Sequence, residues 1–97
     1  MIMKYATNTV WKHENPIDWE GMQKEMDTSY PNAPEGTTVA WFKIDEQHHG
    51  SQSVYPSEEA YKKFKAELSE YRKEASTWNE IEMIHESEGL IMVSEGI

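Results

Sequence analysis

The sequence predicts one small, acidic α+β domain of βαββαβ order that works as a dimer. Three observations carry this. Ninety-seven residues suffice for one core and no more. Two stretches have helical apolar spacing, and runs with β-branched and aromatic alternation lie before, between and after them.

A first strand is expected over residues 2 to 11, where Tyr5, Thr7, Thr9, Val10 and Trp11 occur without Gly or Pro. His13-Glu14-Asn15-Pro16 ends it. Asn15 before Pro16, with Asp18 three positions after the Asn, reads as a helix start with Pro at the first helical position. Trp19, Met22 and Met26 then form one apolar stripe, which Gly21 weakens slightly. Two prolines and a glycine between Tyr30 and Gly36 make a loop.

Thr37 to Asp45 is the strongest strand, with Val39 and Trp41 on one face and Ala40, Phe42 and Ile44 on the other. Glu46-Gln47-His48-His49-Gly50 reads as a polar connection, and Ser51 to Tyr55 as the returning strand of a hairpin. Ser57 is expected to cap a helix from 57 to about 76, with Glu58 and Glu59 at its positive dipole end. Tyr61, Phe64, Leu68, Tyr71 and Ala75 form its apolar stripe. Ile81, Met83 and His85 alternate against Glu82, Ile84 and Glu86, and Ser87-Glu88-Gly89 leads into Leu90 to Val93, so one or two last strands follow. Residues 90–94 are left open between extending that strand and crossing to a partner subunit. No repeat or linker divides the chain, so residues 1–97 read as one domain.

Eighteen acidic residues against nine Lys and Arg give a net charge of -9, which repels phosphate backbones and anionic lipid, so neither nucleic acid nor membrane is an expected partner. The absence of cysteine excludes disulfides and thiolate chemistry. No run approaches the length of a membrane span, and Met1 to Tyr5 lacks a leader pattern, so the cytoplasm is the expected location.

Strand, helix, strand, strand, helix, strand is the split βαβ arrangement, with both helices on one face of a four-stranded antiparallel sheet. The second strand is apolar on both faces, and Met3, Tyr5 and Trp11 share one side of the first. The helix-free face is therefore expected to carry apolar surface that a second subunit covers.

The order of elements, the length and the segment Val54-Tyr55-Pro56-Ser57-Glu58-Glu59-Ala60-Tyr61-Lys62-Lys63-Phe64 resemble the ferredoxin-like dimeric α+β barrel superfamily. That superfamily includes antibiotic biosynthesis monooxygenases, stress-responsive barrel proteins and haem-degrading monooxygenases. The resemblance implies two sheets packed face to face and a pocket in each subunit between sheet and helices for an apolar or aromatic molecule. It also implies candidates for cofactor-independent monooxygenation, namely Asn8, Trp41 and Tyr61 with Tyr5. The haem-degrading pattern lacks its His near the second helix, where Ser69, Glu70, Tyr71 and Arg72 stand.

Trp19, Met22, Phe42, Phe64 and Leu68 are the expected pocket lining. His48 and His49 with Asp45 and Glu46 offer metal-binding atoms, but neighbours on a strand point apart, so solvated loop histidines are expected, with no metal and no cofactor. His13 and His85 stand isolated. No hydrolase motif or phosphate loop occurs, and the acids Glu80, Glu82, Glu86 and Glu88 read as a solvated edge. Three functions remain open: a homodimer binding a fatty-acid-like or polyketide-like molecule, a cofactor-independent monooxygenase, and an interaction dimer without ligand.

Overall fold

The computed structural model describes residues 3–97; Ile2, where the first strand was expected to begin, lies outside the described residues. The elements are β1 (Tyr5–His13), α1 (Trp19–Thr28), β2 (Thr38–Lys43), β3 (His48–Tyr55), α2 (Glu58–Asn79) and β4 (Ile81–Leu90). They form one antiparallel sheet in the order β2-β3-β1-β4, the ferredoxin-like α+β topology expected from the sequence. None of the helices is long and apolar enough to cross a membrane among the described residues.

α1 starts later than the Asn15-Pro16 pair suggests. Asp18 is its cap, accepting from the Gly21 N–H at 3.1 Å, because a carboxylate satisfies the orphan amides that Asn15 is too far upstream to reach. α2 begins where expected. The Ser57 hydroxyl accepts from the Ala60 N–H at 3.1 Å, with Glu58 and Glu59 in the first turn. α2 closes on Glu80, whose left-handed φ of 52° turns the chain directly into β4.

Residues of odd number from Tyr5 to His13 and from His49 to Tyr55 face the helices. This corrects the expected placement of Tyr5 and Trp11 on the helix-free face. Both are buried under the helices, because the register sets Tyr5 beside Tyr55 and Trp11 beside His49. The helix-free face instead presents Ala6, Asn8, Val10 and Lys12 from β1. β2 does show two apolar faces: Trp41 meets Tyr30 and His49 on the helix side, while Phe42 lies over Gly50 on the other. A methyl at Gly50 would overlap that ring, so the absent side chain is what lets Phe42 lie flat.

β4 is a single strand, not two. Its pairing with β1 slips between Val10 and Trp11: Val10 faces His85 and Trp11 faces Met83, which leaves Ile84 as an extra residue. Beyond that bulge the helix-facing set changes from Ile81 and Met83 to Glu86 and Glu88. These carboxylates meet Arg72 at 3.2 Å and Lys65 at 3.9 Å on α2. The acidic edge expected from the sequence is thus divided between faces.

The buried core is aromatic. Tyr5, Tyr55, Tyr61, Phe64 and Leu68 pack together, with Tyr30, Ala33 and Tyr71 against them. Tyr61 sits 5.3 Å from Tyr5 and 4.9 Å from Tyr55, ring centre to ring centre. α1 is held differently. Of its ten residues only Met22 is buried, and no Cα of α1 comes within 8 Å of a Cα of another element. A layer of side chains separates it from the sheet.

Candidate functional site

That layer encloses a cleft. Thr9 and Trp11 of β1, Trp41 of β2, and His49 and Ser51 of β3 make its floor and one wall. Met22 and Glu25 of α1, Tyr30 of the following loop, Leu68, Tyr71, Arg72, Ala75 and Asn79 of α2, and Ile81 of β4 make the rest. The free volume inside is about 30 Å³, which is water-sized.

The floor is polar for a sheet face packed under helices. Thr7, Thr9, His49, Ser51 and Ser53 are all buried there, where Val, Ile or Leu would be the usual filling. The Trp11 indole N–H donates to the Thr9 hydroxyl at 2.8 Å. Among the described residues the buried Tyr55 and Tyr61 hydroxyls have no hydrogen-bond partner. Burial pushes both phenols up from their ordinary value, and for Tyr61 the Glu88 carboxylate adds to the rise. An unpaired buried hydroxyl costs about 1–3 kcal/mol. Tyr55→Phe is therefore expected to stabilise the protein by about 1 kcal/mol, read as a rise in the urea midpoint; a loss of stability would show that the hydroxyl has a partner in solution.

Three Trp rings surround His49: Trp11 at 6.2 Å and nearly parallel, Trp41 at 6.0 Å, and Trp19 edge-on at 6.4 Å. The His49 Nδ1 lies 2.6 Å from the Nε2 of His13, and both rings are buried. The strand register creates this pair. The His13 N–H donates to the Gln47 carbonyl at 2.7 Å, so His49, two residues further on, is its diagonal neighbour on the same face. Burial holds His49 down at about 4, helped by the charge His13 would carry. Burial also lowers His13, with His48 adding to the shift.

At the other end of the cleft Glu25 is fully engaged. Its Oε2 accepts from the Tyr71 hydroxyl and its Oε1 from the Asn79 side-chain amide at 2.9 Å. Burial first, and then this carboxylate, raise Tyr71. Arg72 donates to Glu86 at 3.2 Å and also lines the cleft.

The expected site residues divide as follows. Met22 and Leu68 line the cleft, and Trp19 lies beside it in a groove with Met22, Met26, Val39 and Trp41. Phe64 belongs to the aromatic core and borders a groove between α2 and the loop at Asn32 and Pro34, while Phe42 lies on the opposite face of the sheet. Of the catalytic candidates, Trp41 lines the cleft and Tyr61 is in the neighbouring core. Asn8 is exposed on the helix-free face, so it does not join them within one subunit. His48 pairs with Asp45 at 2.8 Å on the outside. His49, expected in a solvated loop, is instead 3% exposed, because β3 begins at His48 and turns it inward. Among the described residues no three His, Asp or Glu side chains form a metal-binding group.

The sequence pointed to His13 and His49 singly but not as a pair, and it missed Glu25 and Asn79. The one available signal was parity: His13 shares the helix-facing set of Thr9 and Trp11, and His49 that of Ser51 and Ser53. The sequence matches no protein-family model, and no curated protein matches it.

Proposed function

We propose that the chain is a homodimer that binds a small planar aromatic molecule, phenolic or carbonyl-bearing, between its sheet and helices. The polar floor beneath aromatic walls carries this reading. Hydroxyls and an imidazole are poor filling for a core that only has to be stable, but they orient a ligand whose ring stacks on Trp11, Trp41 or Tyr30. A fatty-acid-like chain suits this lining less well, since its methylenes would leave those groups without partners. Entry requires α1 to move outward. Its single buried residue and its separation from the sheet favour that motion, and Met22 adapts readily to a new neighbour.

Dimerisation through the helix-free face is supported by Phe42 and Ile44, which are 40% and 49% exposed there and at the end of β2. Beyond β4, Met92 and Val93 offer further apolar surface for a partner.

Titrating quercetin is expected to quench the tryptophan fluorescence saturably in the micromolar range, and palmitate is expected to leave it unchanged. Palmitate binding without quercetin binding would replace the aromatic ligand with an aliphatic one. No binding of either would leave the interaction dimer. Sedimentation equilibrium should give twice the 11.3 kDa chain mass; the monomer mass would overturn the dimer.

A further inference from the structure

The His13–His49 pair joins two differently exposed regions. His49 lines the cleft, while His13 lines an adjoining depression on the outside with Asn15, Pro16, Asp18 and Gly21, and Met22, Glu25 and Asn79 border both. Through their 2.6 Å contact the two rings span the wall between cleft and exterior. His49 uses Nδ1 for that contact, so Nε2 is its other ring nitrogen, and it has no hydrogen-bond partner among the described residues. Glu25, the other group that could act as a base there, has both oxygens occupied.

We propose that this cleft catalyses proton transfer at a carbon next to a carbonyl, with His49 Nε2 as the base and His13 as the relay to solvent. This rests on the reading that a small planar molecule enters the cleft. In the starting state His49 carries its proton on Nδ1 and donates to His13 Nε2, and His13 carries its own on Nδ1. The substrate C–H bond breaks, its proton goes to His49 Nε2, and its electron pair becomes the enolate, whose oxygen faces the Arg72 guanidinium. The His49 Nδ1 proton passes to His13 Nε2, and the His13 Nδ1 proton passes to water. Water in the opened cleft then protonates the enolate carbon, the hydroxide left behind takes the proton from His49 Nε2, and the His13 relay resets, so the net result is hydrogen exchange with solvent, with no oxidant or reductant.

The relay also answers a physical difficulty. A ring buried among Trp11, Trp19 and Trp41 holds an added proton poorly, so it works as a base only if a second proton leaves it as the first arrives. The charged and titratable groups facing the pair are Glu25 from α1 and Arg72 from α2 in the cleft, Asp18 at the start of α1 in the outer depression, and His48 beside them on β3.

The test uses 2-indanone, a neutral planar ketone, in D₂O. Saturation-transfer NMR reads its binding, and loss of its CH₂ signal reads exchange. The wild-type protein is expected to exceed an equal concentration of imidazole by about 100-fold in exchange rate. His49→Gln should abolish that excess. His13→Ala should lower it by about 30-fold, and added imidazole, filling the vacated outer position, should restore it. Binding without exchange would overturn the catalytic proposal and leave the ligand reading standing; neither binding nor exchange would overturn both. An unchanged rate in a folded His13→Ala protein, or a lowered rate that imidazole fails to restore, would remove His13 from the path. The wild-type protein gives an independent check through ¹⁵N NMR of the ring nitrogens: unprotonated Nε2 on both histidines is expected, and a protonated His49 Nε2 in the ligand-free state would overturn the assignment.

Discussion

Leu68→Ala is expected to lower the unfolding free energy by about 3 kcal/mol, and the melting temperature by roughly 12–24 °C for a domain of this size. Leu68 is 2% exposed and is the one aliphatic member of the cluster formed with Tyr5, Tyr55, Tyr61 and Phe64. Truncating it loses the transfer energy of its buried carbons and leaves a void beside rigid rings that cannot rotate to fill it. The void opens onto the cleft, whose hydroxyl and imidazole floor admits water, so the cost falls below the upper end of about 5 kcal/mol seen for dry cavities. Thermal melting by circular dichroism reads the effect. A loss below about 1.5 kcal/mol would show that α2 moves in to close the gap. Native stabilities are about 5–15 kcal/mol, so the expected loss is a large share of the total.

The second large effect is on acid stability. The His49 pKa falls from an ordinary 6.5 to about 4 in the folded protein, so between those values the unfolded chain binds more protons. Stability from this group is therefore complete above pH 6.5 and lost as the pH falls towards 4. A shift of that size corresponds to about 3 kcal/mol at most. His13, lowered by the same burial, adds to it with the same sign. Relief of the chain's net charge of -9 as its acids are neutralised acts in the opposite direction, while protonation of Asp45, held low by His48, acts in the same one. Most of that occurs below pH 5, so the window from 6.5 to 5 isolates the histidines. Urea midpoints across this window should fall for the wild-type protein and fall less steeply for His49→Gln, in which His13 stays buried. A flat wild-type profile would show that the pair retains a proton in the fold.

Local signals in the sequence carried far in this chain. The Ser57 cap, the stripe from Tyr61 to Ala75 and the Pro-rich loop depend on residues within a few positions of each other, and each lies where its neighbours dictate. The first helix was displaced because Asn15 and Asp18 are both capping residues, and only the three-dimensional path of the chain chooses between them. The His13–His49 pair depends on a register across 36 residues. A hairpin placed two residues later would have left His49 in solvent, so no local property of His48-His49-Gly50 could reveal it. The two faces of β1 were harder still. Trp11 and Tyr5 look suited to an interface, and only their pairing with His49 and Tyr55 places them under the helices.

The extra residue in β4 bears on how chains of this kind can change length. Because Trp11 faces Met83 and Val10 faces His85, Ile84 is the position the ladder could lose while every other pair kept its present side. A one-residue deletion elsewhere in the strand would turn part of it over, exchanging Glu86 and Glu88 for Ser87 and Gly89 above Arg72 and Lys65. Related sequences one residue shorter at Ile84 would thus keep the same ion pairs on a straighter strand, and that single gap would be the form in which divergence is tolerated here.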